Sequence, residues 1–267
     1  MKTTLILFTA ALMCSVSKGA SPLIPLERAH AHNDYEHNRP LHDALEHGFC
    51  SVEADVWLVE GRLLVGHDLK DTRPERTLQS LYLDPLRQRI RENGGRVYRQ
   101  GPSITLLIDA KSDATNTYSA IKLALDPYRP MLTVWRAGRI ETNAVSVIIS
   151  GNRAREQMVS EPERLAAYDG RLADLEDDVS VHFIPLISDN WRLHFRWKGT
   201  AEEDGMSTGE RMKLHSIIQR AHARGQRVRF WGMPDTPVVW QTLRDAGVDF
   251  INTDDLKGLS EFLRTSR

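Results

Sequence analysis

His30-Ala31-His32-Asn33-Asp34-Tyr35 is the stretch on which the interpretation of the fold rests. It overlaps the end of the first predicted strand, residues 27–32, and supplies the turn that follows. An open, doubly wound sheet normally has a glycine-rich turn at this point, and this chain has none there. This stretch therefore disfavours an open, doubly wound sheet for this chain.

Strands and helices alternate along the 267 residues. After the first strand, further strands are predicted at residues 50–58, 103–109, 131–135, 144–150, 165–168, 227–231 and 249–252. Residues 63–65 are predicted to return along the second strand as a hairpin, and residues 182–186 form either another strand or an extended loop. Eight strands alternating with helices predict a single α/β domain with a parallel sheet.

The N-terminal sequence indicates where the protein is located in or outside the cell, and the net charge indicates which partners it binds. Lys2 and the short apolar run at residues 5–13 are typical of a signal peptide, whereas a buried N-terminal helix is the alternative. We therefore expect residues 1–19 to be a signal peptide and residues 20–267 a secreted or periplasmic domain. A net charge of −1 does not indicate nucleic-acid binding, and we expect a monomer.

Acidic residues on two predicted strands suggest a metal site. Glu53 and Asp55 are two residues apart on one strand, so their carboxylates project on the same side. Such neighbours repel each other unless a cation or a proton intervenes, and oxygen ligands suit Mg²⁺ or Ca²⁺. Asp109 ends the strand at residues 103–109 and is expected at the same edge, where Lys111 could meet a phosphate oxygen. Solvated acids on an exposed strand are the alternative, which the apolar flanking residues disfavour.

Two histidines follow extended segments near these acids, His32 after the first strand and His67 after the hairpin. Because imidazole titrates near neutral pH, one ring can accept a proton from a nucleophile while the other donates one to a leaving group. A lone histidine is more often structural, but Asn33-Asp34 and Asp68 follow these two directly. Asp34 and Asp68 are expected either to orient the histidines or to form Asx turns.

Residues 189–207 form the one long irregular stretch, with Trp191, Phe195 and Trp197 among basic residues. An ordered surface loop packed by its own aromatic side chains is the favoured interpretation. The alternative is a lid over a lipid-like or aryl substrate, which would allow transient contact with a membrane.

Taken in order, these pieces resemble the glycerophosphodiester phosphodiesterase and phosphatidylinositol-specific phospholipase C superfamily, in particular its glycerophosphodiesterase-like branch. The family's His-Arg-Gly, Glu-x-Asp, His-Asp, Glu-x-Lys and Thr-Asp motifs appear here as His32-Asn33-Asp34, Glu53-Ala54-Asp55, His67-Asp68, Asp109-Ala110-Lys111 and Thr253-Asp254. The resemblance implies a (β/α)8 TIM barrel. It also implies a divalent cation held by Glu53, Asp55 and Asp109, with His32 and His67 as the acid–base pair.

Two departures from the family motifs bear on the site. The arginine of the first motif, which helps to hold phosphate in the family, is replaced by Asn33, so Arg39 or Lys111 is expected to supply the missing charge. Asn33, Arg39 and Lys111 are thus the candidate phosphate-binding residues. An aspartate at position 109 in place of glutamate is similar to the spider-venom sphingomyelinase D branch.

The activity implied by the resemblance is metal-dependent hydrolysis of a phosphoric diester, either a glycerophosphodiester or a related phospholipid-derived small molecule. Two alternatives stay open. One is a metal-independent phospholipase C-type lyase, and the other is a catalytically inactive barrel that binds lipid or glycan.

Overall fold

The computed structural model of the chain describes residues 23–200, 203 and 205–265. The predicted signal peptide lies outside these residues. The strands and helices, in chain order, are β1 (Leu26–Ala31), α1 (His42–Glu46), β2 (Phe49–Val59), β3 (Arg62–Val65), α2 (Asp84–Glu92), β4 (Ile104–Ala110), α3 (Ala114–Leu125), β5 (Val134–Arg136), β6 (Arg139–Glu141), β7 (Val145–Gly151), α4 (Arg155–Ser160), β8 (Glu163–Arg164), β9 (Ala166–Gly170), β10 (Leu186–Asn190), α5 (Trp191–His194), α6 (Thr208–Ala223), β11 (Arg227–Trp231), α7 (Pro237–Ala246), β12 (Phe250–Thr253) and α8 (Leu256–Thr265).

Eight parallel strands of the described chain close into a barrel. Their order is β1, β2, β4, β7, β9, β10, β11 and β12, and β12 pairs with β1 to complete the ring. β3 runs antiparallel to β2 and forms the predicted hairpin. Strands of such a barrel are covered by helices outside and by side chains inside, which explains the continuous apolar runs in the sequence. The predicted (β/α)8 TIM barrel is confirmed.

The interior of the barrel changes from apolar to polar along the strands. One inward layer is apolar and is formed by Leu107, Ile148, Ala167 and Leu186. Because side chains two residues apart share a face of a strand, the next inward layer lies two positions further on. That layer is polar and consists of Asp109, Ser150, Asp169 and Ser188. The polar and ionisable side chains therefore lie at the carboxyl ends of the strands, and the apolar layer before them is a packed core.

The prediction that residues 131–135 form a barrel strand is wrong. β5 covers only the end of that stretch and lies in a three-stranded antiparallel sheet with β6 and β8. Its Trp135 is 4% exposed and packs against the apolar layer inside the barrel. This run is apolar because it closes one end of the barrel.

The sixth barrel strand is β10, which the sequence prediction divided between residues 182–186 and the irregular stretch from residue 189. Its second half is polar, which is typical of a loop, yet Ser188 is fully buried. The Ser188 hydroxyl donates a hydrogen bond to Asp169 inside the barrel. A polar strand end is stable here because its side chains find partners in the polar layer.

The helix ends follow from local sequence, as α7 illustrates. Thr236 precedes the helix and its side chain accepts a hydrogen bond from the backbone N–H of Val239. Pro237 occupies the first turn, and Gly247 ends the helix with a φ of 91°. Among the described residues, no helix combines the length and the hydropathy needed to cross a bilayer.

Candidate active site

A cavity of about 400 Å³ lies at the carboxyl ends of the barrel strands, the end that carries the active site in barrel enzymes. Thirteen residues line it. They are His32, Asn33, Glu53, His67, Asp109, Ala110, Lys111, Ser150, Gly151, Asn152, Arg171, Arg229 and Trp231. Most of the residues predicted from the sequence are among them, so the structure brings together segments that are far apart in the chain.

Three carboxylates converge beside this cavity. Strand pairing places Asp55 opposite Asp109, and Glu53 precedes Asp55 by two residues on the same face. One oxygen atom from each of the three lies within 4.8 Å of the others. The Oδ1 atoms of Asp55 and Asp109 are buried and accept no hydrogen bond from the described residues. Buried, unpaired carboxylate oxygens at this spacing fit Mg²⁺ or Ca²⁺, which bind oxygen ligands at about 2.0–2.6 Å.

The charge of Glu53 is balanced inside the barrel. Its Oε2 is 3.0 Å from His30 Nε2 and also accepts a hydrogen bond from Arg229. Burial by itself raises the pKa of Glu53, but the charge of Arg229 and the hydrogen bond to His30 lower it far below its ordinary value. Burial, reinforced by the charge of Arg229, lowers the pKa of His30 to about 3. Glu53 is therefore an anion at neutral pH, and His30 is neutral.

Lys111 bridges the two aspartates. Its Nζ is 2.9 Å from Asp55 Oδ2 and 3.2 Å from Asp109 Oδ2. Burial and the charge of Glu53 raise the pKa of both aspartates, that of Asp109 to about 6, and Lys111 opposes this only in part. Burial lowers the pKa of Lys111, but the two carboxylates raise it above its ordinary value. The trio thus has more negative charge than its protein partners neutralise.

Both predicted histidines are held through Nδ1. His32 Nδ1 is 2.8 Å from Asp254 Oδ1, and His67 Nδ1 is 3.3 Å from Asp55 Oδ2. Burial lowers the pKa of His32, but the hydrogen bond to Asp254 and the charge of Glu53 outweigh it and raise the pKa above its ordinary value. Neither Nε2 atom bonds to a described residue. Each ring can therefore exchange a proton with a bound substrate through Nε2.

Tyr35 links several of these groups and was not selected from the sequence. Its hydroxyl lies 2.8 Å from Asp55 Oδ2, 2.8 Å from Asn33 Oδ1 and 3.3 Å from His67 Nδ1. Asn33 has a φ of 46°, a left-handed conformation that asparagine adopts more readily than most residues. This conformation brings its carboxamide to the Tyr35 hydroxyl.

Arg39 does not belong to the site. Its guanidinium lies on the surface beside α1, where Nε is 2.8 Å from Asp43 Oδ1 and Nη2 is 2.6 Å from Glu46 Oε2. These two carboxylates, four and seven residues ahead in the chain, hold the side chain away from the cavity. The prediction that Arg39 binds phosphate is therefore wrong.

Asp34 and Asp68 orient neither histidine. Asp34 is buried and accepts hydrogen bonds from the backbone N–H of Leu41 at 2.5 Å and from the Tyr82 hydroxyl at 3.0 Å. Asp68 is 3.4 Å from Lys70. Asp34 thus fixes the chain after β1, and the orienting carboxylate for His32 comes from Asp254, beyond β12.

Two arginines of the cavity were missed. Arg171 Nη1 is 2.8 Å from Asp169 Oδ2, and its guanidinium lies 4.9 Å from the ring centre of Trp231. Arg229 Nε is 2.8 Å from Asn252 Oδ1, and the residue is 3% exposed. A charged residue between the apolar residues Val228 and Phe230 of a strand was the available signal for Arg229, because such a charge must find a partner. Arg171 gave no signal, since the predicted strand ended at residue 168.

The stretch after β10 packs around its own aromatic side chains. Trp191, Phe195 and Trp197 are 1%, 5% and 4% exposed. The rings of Trp191 and Phe195 stack with centroids 4.0 Å apart, and Trp191 Nε1 donates a hydrogen bond to the Trp197 carbonyl at 2.7 Å. In the described part of residues 189–207, the aromatic side chains are therefore packing residues of an ordered loop and do not form an exposed lid.

Comparisons with known proteins agree with this geometry. A family model described as "AIM6-like phosphodiesterase domain" matches residues 20–169, and one described as "Glycerophosphoryl diester phosphodiesterase family" matches residues 227–257. Altered inheritance of mitochondria protein 6 of Eremothecium gossypii is 31% identical over 284 residues, which cover 93% of this chain and 72% of that protein. Its homolog in Arthroderma benhamiae is 30% identical over 268 residues, with 90% and 84% coverage.

Solved structures show the same fold. A glycerophosphodiester phosphodiesterase from Parabacteroides distasonis superposes with a TM-score of 0.55 at 15% identity, covering 92% of this chain and 99% of that one. One from Agrobacterium tumefaciens gives a TM-score of 0.51 at 16% identity, with 89% and 97% coverage. Together with the family models, these structures confirm the superfamily resemblance predicted from the sequence.

Proposed function

This chain belongs to the family of AIM6-like phosphodiesterase domains, and from that premise we propose that it is a metal-dependent phosphoric diester hydrolase. The observation that carries the proposal is the convergence of three carboxylates, Glu53, Asp55 and Asp109, with unpaired oxygen atoms beside the cavity that His32 and His67 line. The substrate is a glycerophosphodiester or a related phospholipid-derived compound.

The phosphate group would be held by positive charge and by one amide. Lys111 supplies a fixed ammonium beside the carboxylates, and Arg171 lines the same cavity. Arg171 takes over the charge that the family's first motif places at position 33, and the Asn33 carboxamide contributes a hydrogen-bond donor. A divalent cation held by Glu53, Asp55 and Asp109 would add positive charge toward the phosphate oxygens.

The two histidines divide the proton transfers. His32, whose pKa is raised, holds its proton over more of the pH range and suits donation to the leaving alcohol. His67 Nδ1 lies 3.3 Å from Asp55 Oδ2, so Nε2 is the ring nitrogen placed to accept a proton from water or a substrate hydroxyl. Asp254 and Asp55 orient the two rings by contacting their Nδ1 atoms, and the raised pKa of His32 assigns it the donor role.

Histidine variants test this assignment. We expect His32→Asn and His67→Asn each to lower kcat for bis(p-nitrophenyl) phosphate by about 10²–10⁴-fold, the usual contribution of a positioned acid or base. The matched control is His222→Asn, because His222 also pairs with an aspartate, Asp249, at 2.8 Å but lies outside the cavity. Unchanged hydrolysis by the double variant at positions 32 and 67 would refute the roles.

One observation favours a second candidate, the metal-independent lyase. Lys111 Nζ already lies between Asp55 and Asp109, where it partly replaces a cation. In that case, turnover would persist in EDTA and release a cyclic phosphate. The unpaired Oδ1 atoms favour the metal-dependent hydrolase, because the ammonium leaves them without partners.

A further inference from the structure

A second cavity, of about 660 Å³, adjoins the active site. We call it the basic groove, and its lining includes Arg192, Phe195, Arg196, Trp197, Lys198 and Met233. Trp231 lines the active-site cavity, and the next residue, Gly232, lines the groove. The two cavities thus lie on either side of the end of β11, at the same end of the barrel.

The charge of the groove has one sign. Arg192, Arg196 and Lys198 are exposed and line it, and no aspartate or glutamate is among its described lining residues. Within the described part of the chain, none of the three side chains forms an ion pair, and Arg192 Nε is held only by the Gly232 carbonyl at 3.1 Å. The groove therefore offers three side-chain cations without an ion pair among the described residues, and the nearby carboxylates of Glu210 and Glu203 accept hydrogen bonds from backbone N–H groups of the same segment.

The wall beneath these cations is rigid and apolar. Phe195 and Trp197 are almost fully buried and pack with Trp191. Fixed aromatic side chains place the flanking Arg192, Arg196 and Lys198 at set positions along the groove. A volume of about 660 Å³ is within the range of small-molecule sites, about 300–1,000 Å³, and exceeds that of the active-site cavity.

We propose that the basic groove binds the alcohol portion of the phosphodiester and that this alcohol carries a second anionic group, a phosphate or a carboxylate. The inference rests on the proposed function and specifies its substrate class. An alcohol with a quaternary ammonium or amine would place its cation beside three others, and the carboxylates of Glu203 and Glu210 next to the groove are already hydrogen-bonded to backbone N–H groups. Repulsion of this kind excludes the wrong substrate as effectively as attraction selects the right one.

The test compares two glycerophosphodiesters that differ in the charge of one alcohol, glycerophosphoinositol 4-phosphate and glycerophosphocholine. We expect wild type to prefer the former by at least about tenfold in kcat/KM, with a preference that weakens as ionic strength rises. The triple variant Arg192→Gln/Arg196→Gln/Lys198→Gln should lose about tenfold in kcat/KM for the phosphorylated diester, since exposed charge pairs each contribute modestly. Its kcat/KM for glycerophosphocholine should be unchanged or higher.

The matched control removes three exposed cations elsewhere, Arg91→Gln/Arg99→Gln/Lys257→Gln, at positions that line neither cavity. It should keep the wild-type preference. Equal kcat/KM for the two diesters in wild type, or a preference that survives in the groove variant, would overturn the inference while leaving the proposed function intact.

A binding measurement separates the two proposals when nothing is hydrolysed. Calorimetry with glycerophosphoinositol 4-phosphate in EDTA should show binding that the groove variant weakens about tenfold and the control variant retains. Such binding by a protein that hydrolyses neither diester when Mg²⁺ or Ca²⁺ is added would support the groove and refute the proposed function. Neither turnover nor groove-dependent binding would refute both.

Discussion

Tyr35 illustrates, at the scale of a single residue, how the site is held together. Its one hydroxyl lies within hydrogen-bond distance of a carboxylate, a carboxamide and an imidazole, on Asp55, Asn33 and His67. A hydroxyl has one proton to donate, so it fixes the relative positions of these groups without neutralising any of them. It is a positioning residue, because nothing places it in contact with the phosphate.

Tyr35→Phe should therefore slow turnover while keeping the fold. We expect kcat/KM for bis(p-nitrophenyl) phosphate to fall about tenfold or more and the affinity for the divalent cation to change, because Asp55 loses a donor. The control is Tyr98→Phe, which removes an equally buried hydroxyl that bonds to the Phe49 carbonyl at 2.7 Å, away from the cavity. Both variants should lose about 1 kcal/mol of stability, but only Tyr35→Phe should lose activity.

In the absence of metal, the ionised carboxylate of Asp109 should lower the free energy of unfolding. Its pKa is raised to about 6, so the folded chain holds a proton that the unfolded chain releases at a lower pH. The ionised carboxylate thus destabilises the metal-free protein above about pH 6, and the penalty disappears as the pH falls toward 4. Asp109→Asn should raise the unfolding temperature in EDTA at pH 7, and by less at pH 5.

The same variant should lose the stabilisation that added Mg²⁺ or Ca²⁺ gives to wild type, because a ligand bound only by the folded state stabilises it. Thermal unfolding with and without metal measures both effects. Asp126→Asn serves as the control, since the Asp126 side chain is 75% exposed and should show neither. An Asp109→Asn protein that is less stable than wild type in EDTA at pH 7 would contradict this account.

At the scale of the secondary-structure element, the end of β7 determines where Asp109 can lie. Gly151 has a φ of 67°, and a Cβ atom at this position would collide with Asp109 Oδ1 and lie 2.5 Å from the Ala110 carbonyl oxygen. Only glycine lets the strand end approach β4 so closely. The cavity therefore depends on a residue that performs no chemistry itself.

Gly151→Ala should weaken metal binding and hydrolysis at least about tenfold by displacing Asp109. Gly138→Ala is the matched control, because Gly138 has a similar φ of 74° but nothing within 4 Å of the added Cβ. Both variants acquire backbone strain of about 1 kcal/mol or more, which unfolding measurements will show. If the two variants bind metal equally well, the close approach to Asp109 does not matter.

Strands could be predicted from the sequence where the local pattern of apolar and polar residues determines them. The alternation around Glu53 and the apolar run ending at Asp109 gave β2 and β4 to within a residue at each end, and the closely approaching pair of carboxylates followed from strand geometry. The sequence prediction assigned β5 to the barrel in place of β10. An apolar segment has the same sequence pattern whether it forms a barrel strand or covers the end of the barrel. That distinction depends on tertiary packing.

At the scale of the whole molecule, an ion pair crosses the barrel interior. Arg229 on β11 binds Glu53 on β2, and both side chains are buried, at 3% and 5% exposure. Removing one partner of a buried pair leaves the other charge uncompensated, which costs about 3–5 kcal/mol. Arg229→Met should therefore lower the free energy of unfolding by about that amount in urea titrations.

The exposed α2 residue Arg91 provides the control, and Arg91→Met should change the stability by no more than about 0.5 kcal/mol. A small loss at Arg229 would mean that another group compensates the charge of Glu53 when the arginine is absent. In that case the lowered pKa of Glu53 would not depend on this pair.

The partners that complete the site are brought to it by the global fold, and the local sequence did not show which groups they contact. His32 and Glu53 were identified from local motifs, but their partners Asp254 and Arg229 are more than 170 residues away. Asp34, the local candidate for orienting His32, instead binds Leu41 and Tyr82. The sequence thus predicted most of the groups that lie together at the cavity, and the fold of the barrel determined which residues contact them.

The most direct test of the central claim is hydrolysis of bis(p-nitrophenyl) phosphate by the purified chain in EDTA, followed by addition of Mg²⁺ or Ca²⁺ in excess. We expect turnover that disappears with EDTA and returns with the metal, through the site formed by Glu53, Asp55 and Asp109. Turnover that is indifferent to EDTA would contradict the account and favour the metal-independent lyase. Absence of both turnover and metal binding would contradict it in favour of a barrel that only binds its ligand.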